Sequence, residues 1–102
     1  MARKVVWTES AWKDLEEVAD YIVKDSSHYA AAFVREARDA ARTLAYLAER
    51  GRIVPEFTDP SIRELLVRNY RLIYQVGERA VYVIGFIHGA RYLWALWERE
   101  RR

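Results

Sequence analysis

The sequence has no cysteine among its 102 residues, and it has only two prolines and four glycines. Without cysteine, disulfide bonds, cysteine-ligated zinc and thiol catalysis are excluded, and a reducing compartment is favoured. A hydrophobic share of 52% beside 31% charged residues argues against disorder. At this length we expect a single domain, residues 1–102, with one core of modest size.

Long apolar runs are missing as well. No segment approaches the roughly 20 apolar residues that a helix needs to cross a bilayer. The first seven residues, MARKVVW, include two basic side chains but lack the apolar region and the small-residue cleavage site of a signal peptide. We therefore expect a cytoplasmic protein that does not bind a membrane.

The charges are unevenly distributed along a chain whose formal net charge is +2. Residues 1–60 hold nine Lys or Arg against eleven Asp or Glu, whereas residues 61–102 hold eight against four, and all eight are arginine. Arginine is suited to bidentate contacts with phosphate and carboxylate groups. The second half of the chain is thus suited to nucleic acid or to an acidic protein, or it is a solvated basic surface without a ligand. Charge alone does not distinguish between these interpretations.

Two amphipathic helices are predicted in the first half. Apolar residues recur at helical spacing over about residues 9–24, after an N-cap at Thr8. Asp25-Ser26-Ser27 breaks this helix and supplies a cap for a second one, whose apolar spacing continues as far as a C-terminal cap at Gly51. Two consecutive helices with a short link form a helical hairpin.

Strands account for most of the remaining chain. Lys4 to Trp7 is a short β-branched run that predicts an N-terminal strand. Arg52 to Ser61 contains both prolines and is predicted to be a loop. Three strands then follow within Ile62 to Leu93, and the last two are joined by a tight turn at residues 77–79.

The last strand, Ala80 to His88, is largely apolar on both faces, which predicts a central strand covered on both sides. Strict alternation places Val83 and Phe86 on opposite faces. The element order predicts an α+β fold (β-α-α-β-β-β) with an N-terminal strand, a helical hairpin packed on one face of a twisted antiparallel sheet, and a short C-terminal tail or helix. The other face must then be covered by the tail, a partner or a substrate.

Recognisable chemical motifs are absent. The sequence has no Walker loop, dinucleotide-binding glycine motif, nucleophile elbow or metal-spaced cluster of His, Asp and Glu. We therefore expect no cofactor and no metal. Carboxylates such as Asp14 and Glu17 are expected to be solvating charges on a helix exterior.

The segment His88-Gly89-Ala90-Arg91 is the most suggestive chemically. A histidine at a strand end can act as an acid or a base near neutral pH. Arg71, in the neighbouring strand, could converge with Arg91 on the same surface and form a patch that receives an anion. The alternative is that His88 caps the strand end while the arginines bond loop carbonyls or helix C-termini.

The tail from Tyr92 onward is apolar and then highly charged, with Trp94 and Trp97 near its start. One interpretation is a terminal helix packed on the sheet. The other is an exposed apolar surface for a partner, because tryptophan is enriched at the centres of interfaces.

Three stretches resemble the RelE/ParE superfamily of type II toxin–antitoxin toxins, namely WTESAWKDLEEVADYI, RELLVRNYRLIYQV and VYVIGFIHGAR. The resemblance spans Trp7 to about Leu93 and is most specific at residues 63–65, 70–74 and 88–91. It implies a small cytoplasmic toxin that a co-encoded antitoxin neutralises within a toxin–antitoxin hetero-oligomer.

Within this superfamily, the chain is more similar to the ParE-like branch, whose members poison DNA gyrase and need no nuclease site. RelE-like members are ribosome-dependent mRNA endonucleases, and the lysines expected of them fall at Ile62 and Glu64 of this chain. A carboxylate reverses the charge where a phosphate would bind, at a cost on the order of 1 kcal/mol at close range.

The resemblance implies different site residues for the two activities. We expect the target- or antitoxin-binding residues to be Arg63, Arg68, Tyr92, Trp94 and Trp97. With the ribosome and mRNA as partners, His88 would be the acid/base, while Arg71 and Arg91 would hold the scissile phosphate. A third alternative is an inactive interaction module that keeps the fold alone.

Overall fold

The computed structural model describes residues 2–89. Its elements are β1 (Lys4–Trp7), α1 (Glu9–Val23), α2 (Ser27–Arg42), β2 (Arg52–Ile53), β3 (Ile62–Val67), β4 (Tyr70–Val76) and β5 (Ala80–His88). The predicted order of a strand, a helical hairpin and three strands is confirmed, and the short strand β2 is added where the sequence predicted only a loop. Neither helix in this part of the chain is long and apolar enough to span a bilayer.

The five strands form one sheet in the order β1-β5-β4-β3-β2. The pairs β3–β4 and β4–β5 are antiparallel, as predicted, whereas β1 lies parallel to β5 at the sheet edge with Lys4 opposite Ala80 and Trp7 opposite Val83. The sheet is therefore mixed. Both helices pack on one of its faces, the helix face, and the predicted α+β fold is confirmed.

Both helices begin at the caps that the sequence predicts. The Thr8 hydroxyl accepts a hydrogen bond from the Ala11 N–H at 3.2 Å, and the Ser26 hydroxyl accepts one from the Tyr29 N–H at 3.2 Å. Each bond satisfies a backbone donor that has no partner within its helix, which stabilises a helix start by about 1 kcal/mol.

The predicted end of the second helix at Gly51 is wrong, because α2 ends at Arg42 and continues only as a 3-10 turn over Thr43–Ala45. The Ala45 carbonyl accepts a hydrogen bond from the Arg3 N–H at 2.8 Å, so it is used by the chain just before β1 rather than by a further helical turn. The helical spacing of apolar residues includes Leu47 and so predicted that the helix continues past it with Leu47 buried. In the structure, Leu47 is 58% exposed.

Gly51 has a different role from the predicted cap. It lies against β3 and β4, where its N–H donates a hydrogen bond to the Tyr74 phenol oxygen at 3.0 Å. A Cβ atom at this position would lie 2.5 Å from the Glu64 carbonyl oxygen and 2.6 Å from that phenol oxygen. Burial raises the pKa of Tyr74, so the phenol stays protonated around neutral pH.

The main core lies between the helices and the sheet. Phe33 of α2 meets Tyr70 and Phe86 edge-on, with ring centroids 5.3 and 5.7 Å apart, while those two rings stack on each other at 5.5 Å. Small side chains on α2 let it lie close to α1 and the sheet. The buried members of this core are Ala11, Leu15, Phe33, Ala37, Ala41, Leu44, Ala48, Val67, Leu72, Tyr74, Val81, Val83 and Phe86.

A register shift interrupts the alternation of β5. Tyr74 lies opposite Val83, but its neighbour Ile73 lies opposite Gly85, so β5 has one extra residue at this step. Such a bulge reverses the faces beyond it. Val83 and Phe86 consequently share the helix face, and the prediction that they lie on opposite faces is wrong.

A hydrogen bond also connects the bulge to α1. The Phe86 N–H donates a hydrogen bond to a carboxylate oxygen of Asp14 in α1 at 3.1 Å. Asp14 is therefore a structural contact between helix and sheet, and the expectation that it is only a solvating charge is wrong.

A loop covers part of the opposite sheet face, which the sequence left to the tail, a partner or a substrate. Residues 54–61, here called the strap, cross that face, and their Val54 and Phe57 pack with residues of three strands. At the far end of the strap, the Asp59 carboxylate accepts hydrogen bonds from the Ser61 N–H and hydroxyl at 2.9 and 2.7 Å. The sheet residues in this smaller core are Ile62, Ile73, Ile84 and Ile87.

We predict that Gly51→Ala lowers the free energy of unfolding by about 1–3 kcal/mol, because the added methyl group overlaps backbone and phenol atoms that are held by the sheet. Denaturant unfolding followed by circular dichroism measures this change. Gly77→Ala is a control in a turn, where the nearest atom to the new Cβ, the Ala80 carbonyl oxygen, is 3.0 Å away. Equal stability of Gly51→Ala and the unmodified protein would contradict the close packing of the segment on Tyr74.

Candidate functional site

Charged side chains are buried on the sheet face under the strap. Arg71 of β4 is 5% exposed, and Glu64 of β3 is 2% exposed. They share this face because strand side chains alternate, with Arg71 two residues before Ile73 and Glu64 two residues after Ile62. A buried charge is costly unless it is paired and hydrogen-bonded.

The pairing is complete and involves the strap. Arg71 Nε donates a hydrogen bond to Glu64 Oε1 at 2.7 Å, and the two terminal nitrogens of Arg71 each donate one to a separate oxygen of Glu56, both at 2.9 Å. Arg52 Nε of β2 donates to the second oxygen of Glu64. Two guanidinium groups thus meet two carboxylates, and the cluster carries no net charge.

Titration of the cluster follows from these contacts. Hydrogen bonds from Arg71 lower the pKa of Glu56, and those from Glu56 raise the pKa of Arg71 although burial opposes that rise. Both groups therefore remain charged around neutral pH. The cluster attaches the strap to the sheet through a bidentate ion pair.

His88 does not join this cluster. It lies opposite Tyr70 on β4, and the two rings meet edge-on at 5.5 Å. Tyr70 packs in the helix-face core, so His88 lies on the helix face, exposed at the end of β5. Arg71 points to the other face. The structure therefore does not bring His88 and Arg71 together.

Arg63 bonds loop carbonyls on the helix face. Its Nη1 donates hydrogen bonds to the Gly51 carbonyl at 2.9 Å and to the Glu49 carbonyl at 3.3 Å. Its Nε is buried without a hydrogen-bond partner in residues 2–89. Arg63 thereby connects β3 to the segment that precedes β2.

Arg68 lies at the tip of the β3–β4 hairpin, with a φ of 55°. This left-handed backbone costs a residue other than glycine about 1 kcal/mol. The side chain reaches α2, where Nε donates to a Glu36 carboxylate oxygen at 2.9 Å and the guanidinium lies 6.0 Å from the Phe33 ring centre. Arg68 thereby connects the hairpin tip to α2.

The remaining predicted site residues lie outside the described residues. They are Arg91, Tyr92, Trp94 and Trp97.

Two features were missed in the sequence. Glu56 gave no signal, because its contact with Arg71 depends on the path of the strap. Arg35, Arg38 and Arg42 of α2 gave a weak signal of a basic surface, because their spacing of three and four residues places them on one side of a helix. Arg38 and Arg42 line two depressions, one formed by α2 alone and one shared with β1 and α1, and Arg35 lines the first of them. Within residues 2–89, no group of three or more His, Cys, Asp or Glu side chains is placed to hold a metal ion.

We predict that Glu56→Gln lowers the free energy of unfolding by about 1 kcal/mol at pH 7, because the amide loses one charge-assisted hydrogen bond and the ionic attraction to Arg71. The folded-state pKa of Glu56 is depressed, so its stabilising contribution is present above the unfolded-state pKa. The contribution is lost as the pH falls through the folded-state value.

Urea unfolding of both proteins between pH 7 and pH 3 measures this difference. Other titrating groups, including Asp59, whose hydrogen bonds from Ser61 lower its pKa, are common to both proteins and largely cancel. The difference should shrink as the pH falls below the ordinary glutamate value of 4.5. A difference that stays constant down to pH 3 would contradict the ion pair.

Comparison with known proteins identifies the family. Residues 5–93 match the family model described as ParE toxin of type II toxin–antitoxin system, parDE. A curated relative, Toxin RelE2 of Caulobacter vibrioides, is 35% identical over 89 residues, which cover 86% of this chain and 97% of the relative.

Two solved structures share the fold. The chromosomal ParDE toxin–antitoxin system of P. aeruginosa matches with a TM-score of 0.71 and 20% identity, over 85% of this chain and 96% of the matched chain. The toxin–antitoxin complex RelBE2 of Mycobacterium tuberculosis matches with a TM-score of 0.57 and 21% identity, over 86% and 99%. The family match and the curated relative show that the chain belongs to the ParE toxin family, within the RelE/ParE superfamily of type II toxin–antitoxin toxins.

Proposed function

We propose that this toxin arrests growth by poisoning DNA gyrase and that it is not a ribosome-dependent mRNA endonuclease. The observation that carries the proposal is the division of the nuclease candidates between two sheet faces. His88 is exposed on the helix face, whereas Arg71 is buried under the strap on the other. An acid/base and a phosphate-binding cation must lie within reach of one scissile bond.

The bonding of Arg71 supports the same conclusion. Its guanidinium already contacts carboxylates of Glu56 and Glu64, at distances typical of strong ion pairs. A phosphate would have to displace Glu56 and would remain beside the negative charge of Glu64. Ion pairing that is already satisfied offers little gain from a new anion.

The partner that we propose alongside gyrase is a co-encoded antitoxin, bound in a toxin–antitoxin hetero-oligomer. Both solved structures with this fold are named as toxin–antitoxin systems or complexes. Residues on the outside of the described fold, rather than the buried Arg71 cluster, are the candidates for contacts with either protein.

We predict that the purified chain inhibits ATP-dependent supercoiling of relaxed plasmid by DNA gyrase and that the antitoxin protein from the adjoining reading frame relieves the inhibition. His88→Ala should inhibit within about twofold of the unmodified protein, because poisoning requires no acid/base. Gel electrophoresis of plasmid topoisomers measures both effects. His88 is the suitable probe, since Arg71→Ala leaves the buried Glu64 carboxylate with Arg52 alone and should destabilise the fold by about 3–5 kcal/mol.

The matched experiment replaces gyrase with translating ribosomes and maps mRNA ends. Codon-specific cleavage that is lost in His88→Ala, with supercoiling unaffected, would overturn the gyrase proposal and establish the endonuclease alternative. Absence of both effects from a folded protein that also causes no growth arrest would favour the inactive interaction module.

A further inference from the structure

We propose that a cleft between β1 and α2, here called the edge cleft, receives an extended acidic segment of the antitoxin as an added strand on β1. The cleft has a volume of about 250 Å³. Its lining residues are Val5, Trp7, Trp12, Arg38, Ala41 and Arg42. The inference rests on the proposed function only in taking the antitoxin as its partner.

The backbone of β1 provides the first part of the site. β1 is an edge strand whose sheet partner in residues 2–89 is β5. The N–H groups of Lys4 and Thr8 donate to carbonyls of the β5 side at 3.0 Å, whereas the Arg3 N–H points the other way and donates to Ala45. Alternation then directs the N–H groups of Val5 and Trp7 away from β5, along the outer edge of the sheet that borders the edge cleft. An open edge of this kind accepts an extended peptide through main-chain hydrogen bonds.

Two tryptophans provide an apolar surface beside that edge. The rings of Trp7 and Trp12 meet edge-on at a centroid distance of 5.7 Å, and Trp12 is 38% exposed. The guanidinium of Arg38 lies 6.0 Å from the Trp12 ring centre. An incoming strand could place one apolar side chain on these rings and the next on the opposite side, as strand alternation requires.

Charge determines the chemistry of the partner. Arg35, Arg38 and Arg42 follow one side of α2, and the last two border both the edge cleft and an adjoining depression of about 200 Å³. The nearby Asp39 bonds one terminal nitrogen of Arg42 at 2.7 Å, and both side chains are largely exposed. Three arginines against one aspartate leave a net positive border, which favours aspartate or glutamate side chains in the occupant.

A protein segment fits these features better than nucleic acid. The combination of an open strand edge and a small apolar cleft matches a peptide backbone with alternating side chains. A volume of about 250 Å³ holds one or two side chains. A nucleic acid would gain from the arginines but would leave the outward N–H groups of Val5 and Trp7 without regularly spaced carbonyl partners.

The test compares binding of the purified antitoxin protein to charge variants of the full-length chain. We expect Arg38→Glu and Arg42→Glu each to weaken binding at least tenfold, measured by titration calorimetry. Lys24→Glu, an equal charge change at an exposed position beyond the end of α1, should change binding less than threefold. Circular dichroism checks that each variant is folded.

Hydrogen exchange provides an independent readout of strand addition. The amides of Val5 and Trp7 should exchange at least tenfold more slowly in the complex than in the free protein, whereas those of Lys4 and Thr8 are bonded within the sheet in both states. This result together with the charge-variant result would support the proposal.

Several outcomes would overturn it. If the antitoxin binds and the charge variants match Lys24→Glu, the edge cleft is not its site, although the toxin function stands. If Val5 and Trp7 are protected in the free protein and lose protection when residues 90–102 are deleted, the occupant is this chain's own tail. If Arg38→Glu weakens binding of a single-stranded oligonucleotide but not of the antitoxin, the cleft serves nucleic acid. If the antitoxin does not bind the unmodified chain at all, the proposed partner fails with the inference.

Discussion

The ion pair between Arg71 and the carboxylates of Glu56 and Glu64 is the interaction on which one whole side of the sheet depends. A β-sheet with helices on one face leaves the other face to be covered. Here the strap covers part of it, and the strap is attached by two ion-paired hydrogen bonds as well as by Val54 and Phe57. The same interaction occupies the hydrogen-bond donors of Arg71, the most buried arginine of residues 2–89. Structural support and anion binding therefore exclude each other at this position.

The bulge in β5 has a comparable influence on chemistry. By adding one residue opposite the Ile73–Tyr74 step, it turns Phe86 and His88 toward the helix face. Without the added residue, strict alternation would place His88 on the same face as Arg71. The separation of the two candidate groups is therefore a matter of strand register and does not depend on which residue types are present.

Local features of this fold could be predicted from the sequence, whereas features that depend on distant segments could not. The hydroxyls of Thr8 and Ser26 each accept a hydrogen bond from an N–H three residues further on, and the sequence predicted these caps. The end of α2 could not be predicted, because the Ala45 carbonyl accepts a hydrogen bond from Arg3, which is distant in sequence. Glu56 was missed for the same reason. The register shift in β5 was missed although Gly85 lies at the shifted step, where a glycine inside a strand can mark a bulge. Arg71 was singled out as a candidate for anion binding, but its partners, which determine what it can do, lie in a loop and in another strand.

The parallel pairing of β1 with β5 also has a consequence for the order in which the molecule forms. Lys4 pairs with Ala80, so β1, the first strand of the described fold, cannot pair until β5, the last, has been synthesised. Contacts of such long sequence separation form late, because the intervening chain must first be ordered. A nascent chain emerging from the ribosome therefore lacks its β1 edge until β5 has been made. A protein that recognises that edge would therefore bind chains in which β5 is complete, and it would not bind fragments that end before β5.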